Sequence, residues 1–331
     1  MSQSMGVSIG SPEWVSKYGL SSRATCRMAQ LEIARQDERL FSLEGDLAMP
    51  SVPFHKEFPE RFLQLGIAEA DLVAFATGMA KRGKVPFVNS FASFLTMRAC
   101  EQVRLDVAYH NANVKLIGYY AGTSGGLAAS THFCLEDYAI TRAMPNLVVL
   151  SPADSVETYK ATFAAMAHEG PVYLRVGRAE NPQVYHQDYE FRIGKAVTLS
   201  AGDDVAIFAT GNQMVAEAQS AVAQLAEQGV GARLVNIHTL KPLDAEAIVE
   251  AAEATGAVVT VEDHNIFGGL GCAVAEVLMQ HAPVPMKRIG IRDQFCEKVA
   301  PQEEMLPWYD MDAAAIARTA LDVLARKPRR A

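Results

Sequence analysis

The sequence has no uncharged apolar run near the roughly 18 residues that a membrane-spanning helix needs. Its first residues, MSQSMGVSIGSPEW, carry neither the basic start nor the apolar stretch of an export signal. A cytoplasmic protein is therefore expected. Cysteine is scarce. Cys26, Cys100, Cys134, Cys272 and Cys296 are odd in number and lack Cys-x-x-Cys or metal-ligand spacing, which fits reduced thiols and excludes a disulfide framework. Positive charge is also in deficit, with 30 Lys and Arg against 38 Asp and Glu. The resulting net charge of −8 argues against a nucleic-acid or anionic-membrane surface. Low-complexity tracts and internal repeats are missing too.

What is present is a globular composition, 50% hydrophobic and 21% charged over 331 residues, a length suited to two domains of ordinary size. From Arg23 onward, short β-branched or apolar runs alternate with amphipathic stretches, the pattern of βαβ units and a parallel sheet. Strands are predicted at Leu40–Leu43, Val85–Val88, Val114–Tyr119, Leu147–Leu150 and Val172–Val176. Leu72, Phe75, Ala76 and Met79 fall at helical spacing, as do Val156, Tyr159, Phe163 and Met166 after an Asp154…Glu157 capping box. A Pro- and Asn-containing stretch then interrupts the pattern, and a second series follows: strands at Val205–Ala209, Arg233–Ile237, Val258–Val261 and Lys287–Ile291, with helices near 213–228, 244–254, 269–281 and 313–325. The expected fold is α/β, two consecutive domains with mainly parallel sheets flanked by helices. The boundaries are a flexible segment 1–20, a first domain 21–180, a linker 181–192 and a second domain 193–331.

Three constellations could carry chemistry. Gly66-Ile-Ala-Glu69 puts a glutamate in the first turn of a helix at a strand-to-helix corner, where the plain reading is complementing of the helix dipole. Phe91 and Phe94 stand at i, i+3 just after a strand, where ligands enter open parallel sheets. The Gly-rich loop Tyr119-Tyr-Ala-Gly-Thr-Ser-Gly-Gly-Leu-Ala-Ala-Ser-Thr-His132 also follows a strand. It lacks a Gly-Lys-Ser/Thr ending and a GxGxxG pattern, so a phosphate cradle is discounted. A flexible loop ending in one histidine remains.

The order of these motifs resembles the transketolase family. Gly66-Ile-Ala-Glu69, Phe91-x-x-Phe94 with Arg98-Ala-x-Glu-Gln-Val-Arg104, Thr131-His132-x-x-Leu-Glu-Asp137, Pro145-Asn-Leu-x-Val and Ser151-Pro-Ala-Asp154 are similar to its pyrimidine-binding domain. Lys241-Pro-Leu-Asp244 and Val261-Glu-Asp-His-Asn-Ile-Phe-Gly-Gly-Leu-Gly271 are similar to its C-terminal domain. The resemblance implies thiamine diphosphate as cofactor, with Glu69 hydrogen-bonding the ring nitrogen N1′ of its aminopyrimidine and so activating the thiazolium carbon. It further implies a pyrimidine pocket walled by Phe91, Phe94 and Met97, with Asp46 among the cofactor contacts. His132 matches a histidine near the reacting carbonyl. Arg178 matches an arginine that binds the sugar phosphate, while Arg23, Ser51 and Tyr120 fall at further substrate positions.

A complete enzyme of this kind also needs a Gly-Asp-Gly motif followed by an Asn to hold Mg²⁺ and the diphosphate. Neither Gly45-Asp46-Leu47 nor Gly202-Asp203-Asp204 is completed in that way. The resemblance thus implies a partner, an N-terminal transketolase subunit that holds Mg²⁺ and shares the cofactor, in an α2β2 heterotetramer. Two alternatives stand beside this: the β-subunit of a 2-oxo-acid dehydrogenase, and a non-catalytic subunit that keeps the fold. The loop also departs from the family. Tyr120 replaces a usual His, Leu127-Ala128 an acidic residue followed by Asp, and Phe133 a Gln, so transfer of a two-carbon ketol unit to an atypical acceptor, less hydroxylated or more apolar, is expected.

Overall fold

The computed structural model describes residues 7–47, 52–178 and 180–327. Part of the leading segment expected to be flexible forms a helix, α1 (Pro12–Tyr18), capped by the Ser11 side chain. Its Trp14 is fully buried and stacks on Tyr18 at 4.7 Å and edge-on against Tyr159 at 5.6 Å. Then come α2 (Ser22–Gln36), β1 (Leu40–Glu44), α3 (Pro53–Glu57), β2 (Phe62–Gln64), α4 (Glu69–Ala80) and β3 (Val85–Phe91). A helical stretch follows, in which α5 (Cys100–Gln102) lies between the π-helical turns Phe94–Arg98 and Val103–Tyr109. β4 (Lys115–Tyr119), α6 (Asp137–Arg142), β5 (Val148–Leu150), α7 (Ser155–Ala167) and β6 (Val172–Val176) complete the first unit.

The second unit contains β7 (Val197–Ser200), β8 (Val205–Ala209), α8 (Met214–Ala226), β9 (Ala232–Asn236), β10 (Thr239–Lys241), α9 (Ala245–Thr255), β11 (Val258–Asn265), α10 (Leu270–His281), β12 (Met286–Ile291), α11 (Gln302–Met305) and α12 (Ala313–Leu324). Of these strands, β10 joins the first unit, whose seven-stranded sheet runs β10-β5-β6-β4-β3-β1-β2. All neighbours in it are parallel except the edge strand β10, which pairs antiparallel with β5. The sheet of the second unit runs β12-β11-β8-β9-β7, parallel apart from β7.

The local chemistry explains these elements. At α7 the Asp154 side chain accepts from the Glu157 N–H at 2.8 Å, and the Glu157 carboxylate reaches back to the Ala153 N–H at 2.6 Å, a capping box moved one residue outward. The second Asp154 oxygen accepts from the Val184 and Tyr185 N–H groups, strapping the strand-free linker to the first unit. In α4 the buried stripe is Glu69, Leu72, Val73, Ala76 and Thr77, whereas Phe75, expected on that stripe, is 44% exposed. The stripe is turned toward Val73 because Glu69 itself occupies the sheet-facing position.

Candidate functional site

β1, β3, β4 and β6 end at one edge of the large sheet, and the chain leaving each of them contributes to one concave site. Leaving β2, the backbone turns at Gly66 with φ +75 and enters α4 directly at Glu69. This corner drops the Glu69 side chain into the protein with 1% exposure. Ser90 Oγ donates to Glu69 Oε1 at 2.8 Å, and Arg98 Nη1 donates to Oε2 at 2.7 Å. A Cβ at Gly45 would lie 2.8 Å from Ser90 Oγ and 3.4 Å from Glu69 Oε1. Glycine at the end of β1 is therefore what lets that backbone approach the carboxylate.

Beside the carboxylate stands an aromatic cluster. Phe91 meets Phe94 at 5.4 Å, Tyr120 at 4.8 Å and His132 at 4.7 Å, all edge to face, and Phe94 meets His132 at 5.4 Å. His132 Nδ1 is 2.9 Å from Thr131 Oγ1. The Arg98 guanidinium lies over Phe94, 4.1 Å from its centroid. Met97 is exposed and lines, with Phe94, Arg98, Phe133 and Phe295, an adjoining cavity of about 300 Å³.

Tyr120 begins the loop in the left-handed region, φ +61, a conformation that costs a bulky residue energy and needs support. Arg23 Nη1 donates to its hydroxyl at 3.1 Å, and the Arg178 guanidinium lies 5.0 Å from its ring centroid while donating to the Gly125 carbonyl. Two guanidinium groups thus flank one phenol at the mouth of the site. A third, Arg27, is held by Glu44 in a bidentate pair at 2.9 and 3.0 Å. Burial pushes the Glu44 carboxyl up, and the Arg27 charge opposes that shift.

Eight of the sequence-predicted residues, Glu69, Phe91, Phe94, Met97, Tyr120, His132, Arg23 and Arg178, therefore line this edge. Asp46 follows β1 at φ +63 with its backbone N–H bonded to Gln64 Oε1 and its side chain exposed. Ser51 lies outside the described residues. Two contributors were given no role by the sequence reading. Arg98 stands four residues after Phe94 on a helical stretch, a spacing that itself signals a cation–π pair. Ser90 left no signal, because its partner is distant in the chain and the hydrogen bond exists only once β3 and α4 are packed.

The chain matches the pyrimidine-binding domain of transketolase over residues 19–183 and the transketolase C-terminal domain over residues 194–316. It is 43% identical to a 6-deoxy-6-sulfo-D-fructose transketolase subunit of Clostridium sp. strain MSTE9, over 90% of this chain and 92% of that one. It is 41% identical to an apulose-4-phosphate transketolase subunit of Phocaeicola vulgatus, over 88% and 94%. Among solved structures, a split-gene transketolase described as an inactive β4 tetramer superposes with a TM-score of 0.85 at 37% identity, over 93% of this chain and 99% of that one.

Proposed function

Because this chain belongs to the transketolase family and carries its pyrimidine-binding and C-terminal domains in order, we propose that it is the cofactor-activating half of a split ketol transferase. Its partner is a separate chain that binds the diphosphate and Mg²⁺, with two copies of each in the assembly. The family depends on thiamine diphosphate, which when bound supplies the nucleophilic carbon and the electron sink for carbon–carbon cleavage and formation.

The residues present suit its aminopyrimidine. Glu69 offers a buried carboxyl edge to share a proton with the ring nitrogen, and Gly45 leaves room beside it. Phe91 and Phe94 present aromatic faces next to that edge, with Met97 at the rim. His132, in contact with both rings, would hold or move a proton at the substrate carbonyl oxygen. Asp46 and Ser51 remain further candidates for cofactor and substrate contact.

The arginine pair around Tyr120 favours a substrate with a terminal anion, a phosphate or a sulfonate, which guanidinium forks bind well. The two relatives named above, whose substrates carry such groups by name, support this. Leu127, exposed on the loop beyond, and Ala128 offer no side-chain hydrogen bond to substrate hydroxyls. The acceptor is therefore less hydroxylated on that side than a common pentose phosphate. The observation that carries the reading is the buried Glu69 carboxylate beside the Phe91–Phe94 pair.

The test is co-expression with a chain bearing the diphosphate domain, followed by calorimetric titration with thiamine diphosphate. Binding and ketol transfer should appear with the pair and be lost in Glu69→Ala. A Glu69→Ala assembly that still transfers ketol units would end the reading. Turnover of xylulose 5-phosphate with ribose 5-phosphate at an ordinary transketolase rate would end its acceptor part alone.

A further inference from the structure

Among the described residues, the second domain adds Phe295 to the adjoining cavity and no ring to the aromatic cluster itself, yet it holds the loop that carries Tyr120 and His132. That loop is closed at its base by a two-way bridge between Gly122 and Cys134, N–H to carbonyl at 2.9 and 3.0 Å. Inside the base, both donors of Thr123 point to Asp263 of β11, its N–H to Oδ2 at 2.8 Å and its hydroxyl to Oδ1 at 3.0 Å. Gln302 of α11 donates to Asp263 Oδ2 at 2.8 Å and to Thr123 Oγ1 at 3.2 Å. The fit is close. A Cβ at Gly122 would come within 2.0 Å of Asp263 Oδ2, and one at Gly126 within 3.1 Å of the Ala300 carbonyl.

Thr123, Asp263 and Gln302 are all buried, so each lost bond leaves a polar group with no water to replace it. The frame behind Asp263 is equally fixed. Arg175 Nη2 donates to the Asp263 carbonyl at 2.7 Å and its Nε to Asp137 at 2.8 Å.

We infer that Asp263 is a positioning residue, through which the second domain sets the placement of Tyr120 and His132 and thereby the recognition of the acceptor. The inference rests on the reading of this loop as a substrate-facing wall. The carboxylate touches neither cofactor nor substrate; it fixes the register of the loop between Tyr120 at its entrance and His132 at its exit. Small misplacements of such a wall weaken productive binding even when the chemistry is untouched.

In the assembled two-chain enzyme, Asp263→Ala should raise the acceptor KM about tenfold while kcat falls by less than about threefold. Thiamine diphosphate affinity, which rests on Glu69, Phe91 and Phe94 and on the partner chain, should stay within about twofold, and amide exchange over residues 122–134 should quicken roughly tenfold. Gln302→Ala removes one of the three donors to the carboxylate and should move the same two readouts by about threefold. It carries the test if Asp263→Ala does not assemble. Unchanged KM, or a loss of cofactor affinity equal to the rise in KM, would overturn the inference. If the wild-type assembly bound no thiamine diphosphate, the functional reading would fail, and unaltered exchange of the loop in the variants would then overturn the positioning role separately.

Discussion

Arg98 makes the two contacts that an aminopyrimidine would also need. Its guanidinium donates to Glu69 Oε2 at 2.7 Å and covers Phe94 at 4.1 Å, and its side chain is 44% exposed, free to swing outward. A cofactor ring entering beside Glu69 must displace it from the Phe94 face. The half-exposed pair is worth about 1 kcal/mol after solvent screening, so Arg98→Ala should tighten thiamine diphosphate binding about fivefold in the assembled enzyme. Calorimetric titration measures this; weaker binding in the variant would mean that Arg98 supports the ring rather than competing with it. The same residue shows where sequence reading stops. Phe91 and Phe94 were legible because they closely follow a predicted strand, and Glu69 and His132 because their motifs stand in an order that resembles the transketolase family. The bond from Arg98 to Glu69 was not, since it depends on how a π-helical turn rotates one side chain toward a helix start elsewhere in the sheet.

Elements were legible in proportion to their length and periodicity. β8, β11, α7 and α12 carry long apolar patterns and fall close to their expected positions, whereas β2 and β10, three residues each, offer no period to read. β10 is also non-local: it leaves the second domain to cover the edge of β5, a pairing that only tertiary structure specifies. α1 was hidden for another reason. Seven residues in a polar, Gly- and Ser-rich lead do not read as a helix, and its stability comes from docking rather than propensity. Tyr18 and Tyr159 both donate to the Glu32 carboxylate, at 2.5 and 2.6 Å, around the buried Trp14 ring. Trp14→Ala should therefore cost about 3–5 kcal/mol in urea unfolding. A change below about 1 kcal/mol would mean that α1 is a removable appendage.

Across the whole molecule, the two domains meet over buried charge, and its titration should shape stability against pH. Glu262 accepts from the Leu270 and Gly271 N–H groups at the start of α10, at 2.6 and 2.8 Å, and burial raises its pKa from 4.5 to about 7. His264, fully buried and stacked on Tyr138 from the first domain at 4.9 Å, is lowered from 6.5 to about 4, mainly by desolvation. The two act in opposite senses. Between pH 4.5 and 7 the folded chain keeps the Glu262 proton that the unfolded chain has lost, so stability falls as pH rises. Between pH 4 and 6.5 the unfolded chain holds the His264 proton that the folded chain refuses, so stability rises with pH. Each contribution is about 3 kcal/mol across its window, and over their overlap they offset one another. Glu262→Gln should remove the decline that Glu262 imposes, so that the variant's stability relative to wild type climbs by about 3 kcal/mol from pH 4.5 to 7. His264→Gln should remove the rise that His264 imposes, so that the variant's stability relative to wild type declines by a similar amount from pH 4 to 6.5. Urea midpoints at several pH values for the wild type and both variants measure the slopes. Three parallel curves would show that neither group titrates across the folding transition, and that the interface keeps its protonation whatever the solvent pH.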